Sequence, residues 1–190
     1  VIAGTTLTES LGALWAARPR TPPGVRGAIL DLTYSSLRDY GRQDFILGRL
    51  LQKPLPEPVQ SILRVALHRL DSHSDTAHTV VNQAVDAAAT CLGGKFKGVA
   101  NGVLRNALRQ MEDLNKAADA DMVAEYRHPP WWIRRLKSQY PAQWRNIPTA
   151  GNTHPPMALR INVLRSDRDE VLANFADVGL PLRQLTNGAL

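Results

Sequence analysis

Between Tyr126 and Ser166 the sequence contains no aspartate or glutamate, while Arg127, Arg134, Arg135, Lys137, Arg145, Arg160 and Arg165 supply seven positive charges. Those seven exceed the formal net charge of +6 of the whole 190-residue chain, so the remainder is close to neutral. Trp131, Trp132, Tyr140 and Trp144 are interleaved with the cations. Cations neutralise phosphates and planar rings stack on bases, so a stretch that combines them points to a nucleic-acid partner. The rings taken alone have a commoner reading, as anchors that bury one face of an amphipathic helix. Within this stretch Arg134, Arg135 and Lys137 are the first candidates for phosphate contact, followed by Arg160 with Asn162.

Further cations stand upstream. Gly93-Gly94-Lys95-Phe96-Lys97-Gly98 superficially resembles a phosphate-cradling loop, but it lacks the G-x-x-x-x-G-K-[ST] order and lies between helices instead of after a strand. A helix-to-helix joint is the better account. Its Lys95 and Lys97 still fall near a helix N-terminus, where backbone N–H groups favour an anion. Arg105 and Arg109 are spaced i, i+4 on one face of the following helix, and together with Arg64 and Arg69 they read equally well as a solvated surface. Asn101-Gly102 inside that helix lowers its propensity, by about 1 kcal/mol for the glycine relative to alanine, a cost that a close helix crossing would offset.

Catalytic and metal chemistry find no constellation. His68, His73, His78, His128 and His154 fall in different predicted elements, without the H-E-x-x-H or Cys/His spacing of a metal site. Cys91 is the single cysteine; it has no partner for an internal disulfide and no basic neighbour to lower its pKa, and reads as a core residue.

The elements that must position the cations are mostly helical. Apolar residues recur at three- and four-residue spacing in Val25, Ile29, Leu32 and Leu37, in Phe45, Leu47, Leu50 and Leu51, and in Val59, Ile62, Leu63, Ala66, Leu67 and Leu70. Pro22-Pro23-Gly24, Gly41-Arg42 and Lys53-Pro54-Leu55-Pro56 supply the expected breaks. Asp75 or Thr76 is placed to cap a fourth long helix through Val80 and Ala88 to Gly93-Gly94, and a fifth runs from about Lys95 to Met111. A partial helix from Thr8 to Ala16 precedes them. Beyond Asn115 a polar segment and His128-Pro129-Pro130 suggest a domain junction, with short helices expected at Trp131 to Gln139 and Pro141 to Ala150. Met157, Leu159, Ile161 and Val163 alternate in strand fashion. Asp167 caps a helix from Arg168 to Ala176 that Gly179 ends, and a second strand is expected from Leu182.

The fold class expected is therefore mainly α, a helical bundle followed by a small, incomplete α+β segment. Residues 1–115 form the helical domain, 116–152 connecting basic and aromatic helices, and 153–190 the start of the α+β unit. At 44% hydrophobic and 21% charged residues the composition is that of a globular domain. No apolar run approaches the roughly 18 residues of a membrane span, and the opening residues do not read as a signal peptide, so a soluble, cytoplasmic protein without membrane or metal partners is expected. The chain opens on Val1 and closes on Leu190 inside an apolar phrase, which reads as a fragment.

The order of phrases carries more. Leu32-Thr33-Tyr34-Ser35-Ser36-Leu37-Arg38, Lys53-Pro54-Leu55-Pro56, Ala77-His78-Thr79-Val80-Val81-Asn82-Gln83-Ala84-Val85 and Lys97-Gly98-Val99-Ala100-Asn101-Gly102-Val103-Leu104-Arg105 together resemble the helical domain of the NusB type. That domain occurs alone as a transcription antitermination factor and also fused to RNA methyltransferases. His128-Pro129-Pro130-Trp131-Trp132, Tyr140-Pro141-Ala142-Gln143-Trp144 and Pro155-Pro156-Met157-Ala158-Leu159-Arg160-Ile161-Asn162 are similar to the linker region of the Sun/Fmu family of 16S ribosomal RNA cytosine-C5 methyltransferases.

The resemblance implies that the parent is an S-adenosylmethionine-dependent enzyme, in which one cysteine attacks carbon 6 of the base and a second assists release. Those cysteines, in a Pro-Cys and a Thr-Cys-Ser phrase, and the glycine-rich cofactor loop are expected downstream of Leu190. Thr90-Cys91-Leu92 matches neither phrase, so no catalytic role passes to Cys91. The family's first helix begins earlier and with basic residues, which Val1 truncates. This stretch alone is thus expected to bind 16S ribosomal RNA without modifying it and to hold no cofactor. Its other expected partner is the parent's own methyltransferase domain. A free-standing antitermination factor and a purely structural docking module are the rivals.

Overall fold

A computed structural model describes residues 4–72, 76–155, 157–162, 164–180 and 182. They divide into two compact units, residues 1–152 and 153–190. Among the described residues of the first, the regular structure is all helical. Helix α1 (Leu7–Ala17) opens on a capping box in which Thr6 Oγ1 accepts from Glu9 N–H at 3.2 Å and the Glu9 carboxylate accepts from Thr6 N–H at 3.0 Å. Helix α2 (Pro23–Arg38) starts with proline at N1, where no intrahelical N–H is needed. Next come α3 (Tyr40–Leu50), α4 (Glu57–Ser72), α5 (Ala77–Thr90), α6 (Lys97–Arg109), α7 (Met111–Asp119), α8 (Met122–Tyr126), α9 (Pro130–Gln139) and α10 (Asn146–Asn152).

Helix α4 lies at the centre, against α2, α3, α5 and α6. Its Val59, Leu63, Ala66, Leu67 and Leu70 are buried at the spacing that one helix face demands, and meet Ile46 and Leu47 of α3. Helices α5 and α6 pack extensively, their buried positions including Ala84, Ala88, Ala100 and Ala107. Small side chains there let the backbones approach. Leu114, Ala118 and Ala124 extend the core into α7 and α8, so the segment after Asn115 packs within the first unit. By contrast α2 has no buried residue.

Three local expectations need correction. The break near Gly41-Arg42 falls earlier: α2 ends at Arg38, Asp39 makes the turn, and Gly41 lies inside α3. Gly41 instead marks a close approach, since a Cβ there would stand 3.1 Å from the Arg127 backbone. Nor does a helix crossing explain Gly102, where a Cβ would meet nothing within 4 Å. Thr76 is the residue before α5 but makes no side-chain cap bond; Asp75 and His73 lie outside the described residues. At the end of α5, Leu92, Gly93 and Gly94 all adopt positive φ, and the chain turns through a single 3-10 turn into α6.

In the second unit the strand expected at Met157–Val163 does not form among the described residues, which have no regular structure over 157–162. The alternation survives as exposure, with Leu159 and Ile161 half-buried and Met157, Ala158, Arg160 and Asn162 exposed. A strand also needs a neighbouring strand for its ladder, and no described residue supplies one. Helix α11 (Arg168–Asp177) starts as expected, Asp167 Oδ1 accepting from Asp169 and Glu170 N–H at 2.8 and 3.4 Å. It ends at Gly179, φ 75°, with Leu180 N–H donating to Phe175 C=O at 2.9 Å. The second strand expected from Leu182 lies outside the described residues apart from Leu182 itself.

Candidate nucleic-acid interface

Helix α9 sorts its side chains by phase. Pro130 at N1 fixes the first turn, and Ile133 and Leu136 are buried. Trp131, Arg134 and Arg135 stand at i, i+3 and i+4, so they share the opposite, solvent face. All three are exposed, Trp131 to 59%. Among the described residues neither arginine makes an ion pair. The Trp132 ring meets Trp131 edge-on, 5.7 Å between centroids at 64°.

Lys137 is oriented differently. It is half-buried, with Nζ 4.4 Å from the Trp144 ring centroid and 3.1 Å from Met122 Sδ. Arg145 lies 5.2 Å from the same centroid, and Tyr126 packs on Trp144 at 5.0 Å. One indole thus gathers two cations through the negative face of its ring.

The upstream cations lie at the α5–α6 corner and along α6. Lys95 and Lys97 are exposed, Lys97 as the first residue of α6. Arg105 and Arg109 are exposed on one face, and Arg105 Nε donates to Asn101 Oδ1 at 3.0 Å. Lys97 is about 80° around the helix from Arg105. Arg160 and Asn162, both exposed, belong to the second unit. The Asn162 side chain is partly committed, its Oδ1 accepting from Leu164 N–H at 3.1 Å.

Arg64, read from sequence as equally fit for a solvated face, is buried instead. It donates to Asp44, Glu57 and Gln60 at 2.9, 2.6 and 3.2 Å, with its guanidinium 5.1 Å from the Tyr40 ring centroid. Arg42 likewise joins three helices, donating to Asp119 and Asn115 at 2.7 and 3.1 Å and lying 3.7 Å from Asp71. His68 is paired with Asp39 at 2.6 Å, and Arg127 Nε lies 2.6 Å from the other Asp39 oxygen. Burial pushes the Asp39 carboxyl up, but the His68 hydrogen bond and the charges of Arg127, His68 and Arg42 outweigh it and hold the pKa below the usual 3.8.

The feature that sequence reasoning undervalued is Trp131. Phase would have found it, because the ring is set with the two arginines and away from Ile133 and Leu136. Cys91 is half-buried at the α5 C-cap, and the described residues contain no group of three His, Cys, Asp or Glu able to hold a metal. No helix among them is long and apolar enough to cross a membrane. Two adjoining apolar cavities of about 490 and 550 Å³ run between α2, α4 and α5, sharing Leu32, Ser61 and Val65.

Comparison with known proteins finds two family matches and several named relatives. Residues 128–189 match the domain described as "Methyltr_RsmF/B-like, ferredoxin-like domain". The chain is 37% identical over 158 residues to the ribosomal RNA small subunit methyltransferase B of Pseudomonas putida, covering 82% of this chain and 36% of that protein. The proteins of the same name from Vibrio vulnificus and Erwinia tasmaniensis are 32% identical over 163 residues and 34% over 176, covering 84% and 90% of this chain. The chain spans 36 to 41% of the length of these relatives. Residues 4–109, more than half of the sequence, match the NusB family model, and the chain belongs to that family.

Proposed function

We propose that this chain binds ribosomal RNA through a basic face and orients it for a methyl-transfer domain of the same parent protein. The observation that carries the reading is the solvent face of α9, where Arg134 and Arg135 stand exposed without an acidic partner among the described residues, in a stretch free of Asp and Glu from Tyr126 to Ser166. Lys137 lies on the same helix; Lys95, Lys97, Arg105 and Arg109 on and just before α6, and Arg160 with Asn162 in the second unit, are each further candidates for phosphate contact. The names of the relatives support small-subunit ribosomal RNA as the partner and methyl transfer as the parent's reaction; carbon 5 of a cytosine as the target, S-adenosylmethionine as the methyl donor and the cytoplasm as the setting are what the resemblance of the sequence phrases implies. In this reading methyl transfer belongs to the rest of the parent, and this stretch binds RNA without modifying it.

The test is a titration of the chain against a 16S ribosomal RNA fragment and an unrelated hairpin at two salt concentrations. Neutralising six phosphates gives a log–log salt slope of about −5. Tighter binding of the ribosomal fragment that persists at higher salt supports a targeting role; salt-independent affinity, or no binding, contradicts the proposal. A second reading, a module that docks on the parent's own methyltransferase domain, is favoured by the two apolar cavities beside α2. Charge reversal at Arg134, Arg135 and Lys137 separates the two, since docking through the cavities leaves RNA binding unchanged. The match of residues 128–189 disfavours a free-standing antitermination factor, which has no need of that unit.

A further inference from the structure

An exposed tryptophan on a helix that has an apolar face available for it calls for a reason. Helix α9 buries Ile133 and Leu136, yet leaves Trp131 59% exposed on the other side. Large rings contribute most when their area leaves water, so an exposed ring leaves that area available to a ligand. Three features make it a prepared surface. Pro130 immediately before it fixes the first turn of α9. The Trp132 ring, edge-on at 5.7 Å, supports one side of the indole. Arg134 and Arg135, one turn along the same face, present two guanidinium groups with no acidic partner among the described residues.

Resting on the RNA-binding reading, we infer that Trp131 is a stacking platform for one unpaired nucleobase, with Arg134 and Arg135 holding the flanking phosphates. The ligand is a single-stranded segment of RNA. A base inside a duplex has both faces covered by its neighbours, whereas an unpaired base offers one to an aromatic ring. Two unpaired cations beside the ring suit a phosphodiester on each side of the stacked base. The carboxylates of an acidic protein surface would satisfy the arginines but would leave the face of the indole unstacked.

The experiment uses the whole 190-residue chain with two RNAs of equal phosphate number, an unpaired oligonucleotide and a closed hairpin. The unaltered chain is expected to prefer the unpaired RNA. Trp131→Ala is expected to weaken that RNA roughly 5- to 150-fold, to the level of the hairpin, without changing the salt slope, because stacking releases no counterions. Trp131→Phe should retain most of the preference, and thermal unfolding of both variants checks that the fold is intact. Trp131→Ala that binds the unpaired RNA as the unaltered chain does, or that weakens both RNAs equally, overturns the inference. If Arg134→Glu/Arg135→Glu still weakens binding and flattens the salt slope in that case, the electrostatic reading stands and only the stacking is lost. No binding of either RNA by the unaltered chain overturns both.

Discussion

The guanidinium of Arg64 is buried between Asp44, Glu57 and Gln60, and that of Arg42 between Asp119, Asn115 and Asp71. Those of Arg134 and Arg135 stand in solvent, without an acidic partner among the described residues. The two regions use one side chain for opposite ends. Burying a cation costs several kcal/mol unless acids and hydrogen-bond acceptors surround it, so the inner arginines are saturated and their field largely cancelled. The outer ones keep their charge free, which contributes little to stability and leaves it available to a polyanion. A residue's type therefore says less about its role than the presence of a neighbouring acid does.

The inner region gives the largest effect. Asp39 is mostly buried and holds both His68 and Arg127, so Asp39→Ala leaves two charged or polar groups without their partner. It should cost about 3–5 kcal/mol in urea unfolding, with the RNA salt slope of the folded protein unchanged. The same carboxyl makes a pH prediction. Its pKa is held below the unfolded value, so its contribution is fully present above pH 3.8 and fades as pH falls through the lower folded value. Acid titration of stability should lose part of its slope in Asp39→Asn; an unchanged profile would remove Asp39 from the inner network. Next comes the outer region: Arg134→Glu/Arg135→Glu should weaken RNA binding roughly 10- to 100-fold near 0.1 M salt and flatten the slope by about 2, with stability within about 0.5 kcal/mol. Loss of stability instead would erase the distinction between the regions.

How far the sequence reveals this depends on the range of the interaction concerned. Helices α2 to α6 are legible because period, proline and glycine act within one turn, and Asp167 caps α11 for the same local reason. The Gly41 break was misread because that glycine answers to Arg127, 86 residues away in the chain and adjacent in space. Arg64 was indistinguishable from Arg105 by spacing, since its acids come from Asp44 on one helix and Glu57 at the start of its own. The strand at Met157–Val163 needed a partner that no local pattern can supply. The α9 cations were legible because the absence of acids over forty residues is itself a sequence property, whereas the exposure of Trp131 required the helix phase to be followed through Ile133 and Leu136.

Two smaller effects sharpen the comparison. Gly102 lies on the exposed side of α6 with open space around its Cβ position, so Gly102→Ala should stabilise the fold by about 1 kcal/mol through helix propensity alone. RNA binding should not change; a loss would mean that a ligand approaches the α6 backbone there and would extend the outer region to that face.

Lys137 belongs to neither group cleanly, which makes its substitution the finest test. It sits in the acid-free stretch beside Arg134 and Arg135, yet its ammonium rests over Trp144 and shares that ring with Arg145. Lys137→Gln should cost about 0.5–1 kcal/mol by removing a cation–π contact that is only partly shielded from water. A phosphate contact would add a drop of about 1 in the salt slope. Because the ring already holds the charge in place, the expected result is the stability loss with a slope change smaller than 1. A full unit of slope at no cost in stability would place Lys137 wholly with the outer arginines, and would mean that Trp144 orients the cation for RNA without being stabilised by it.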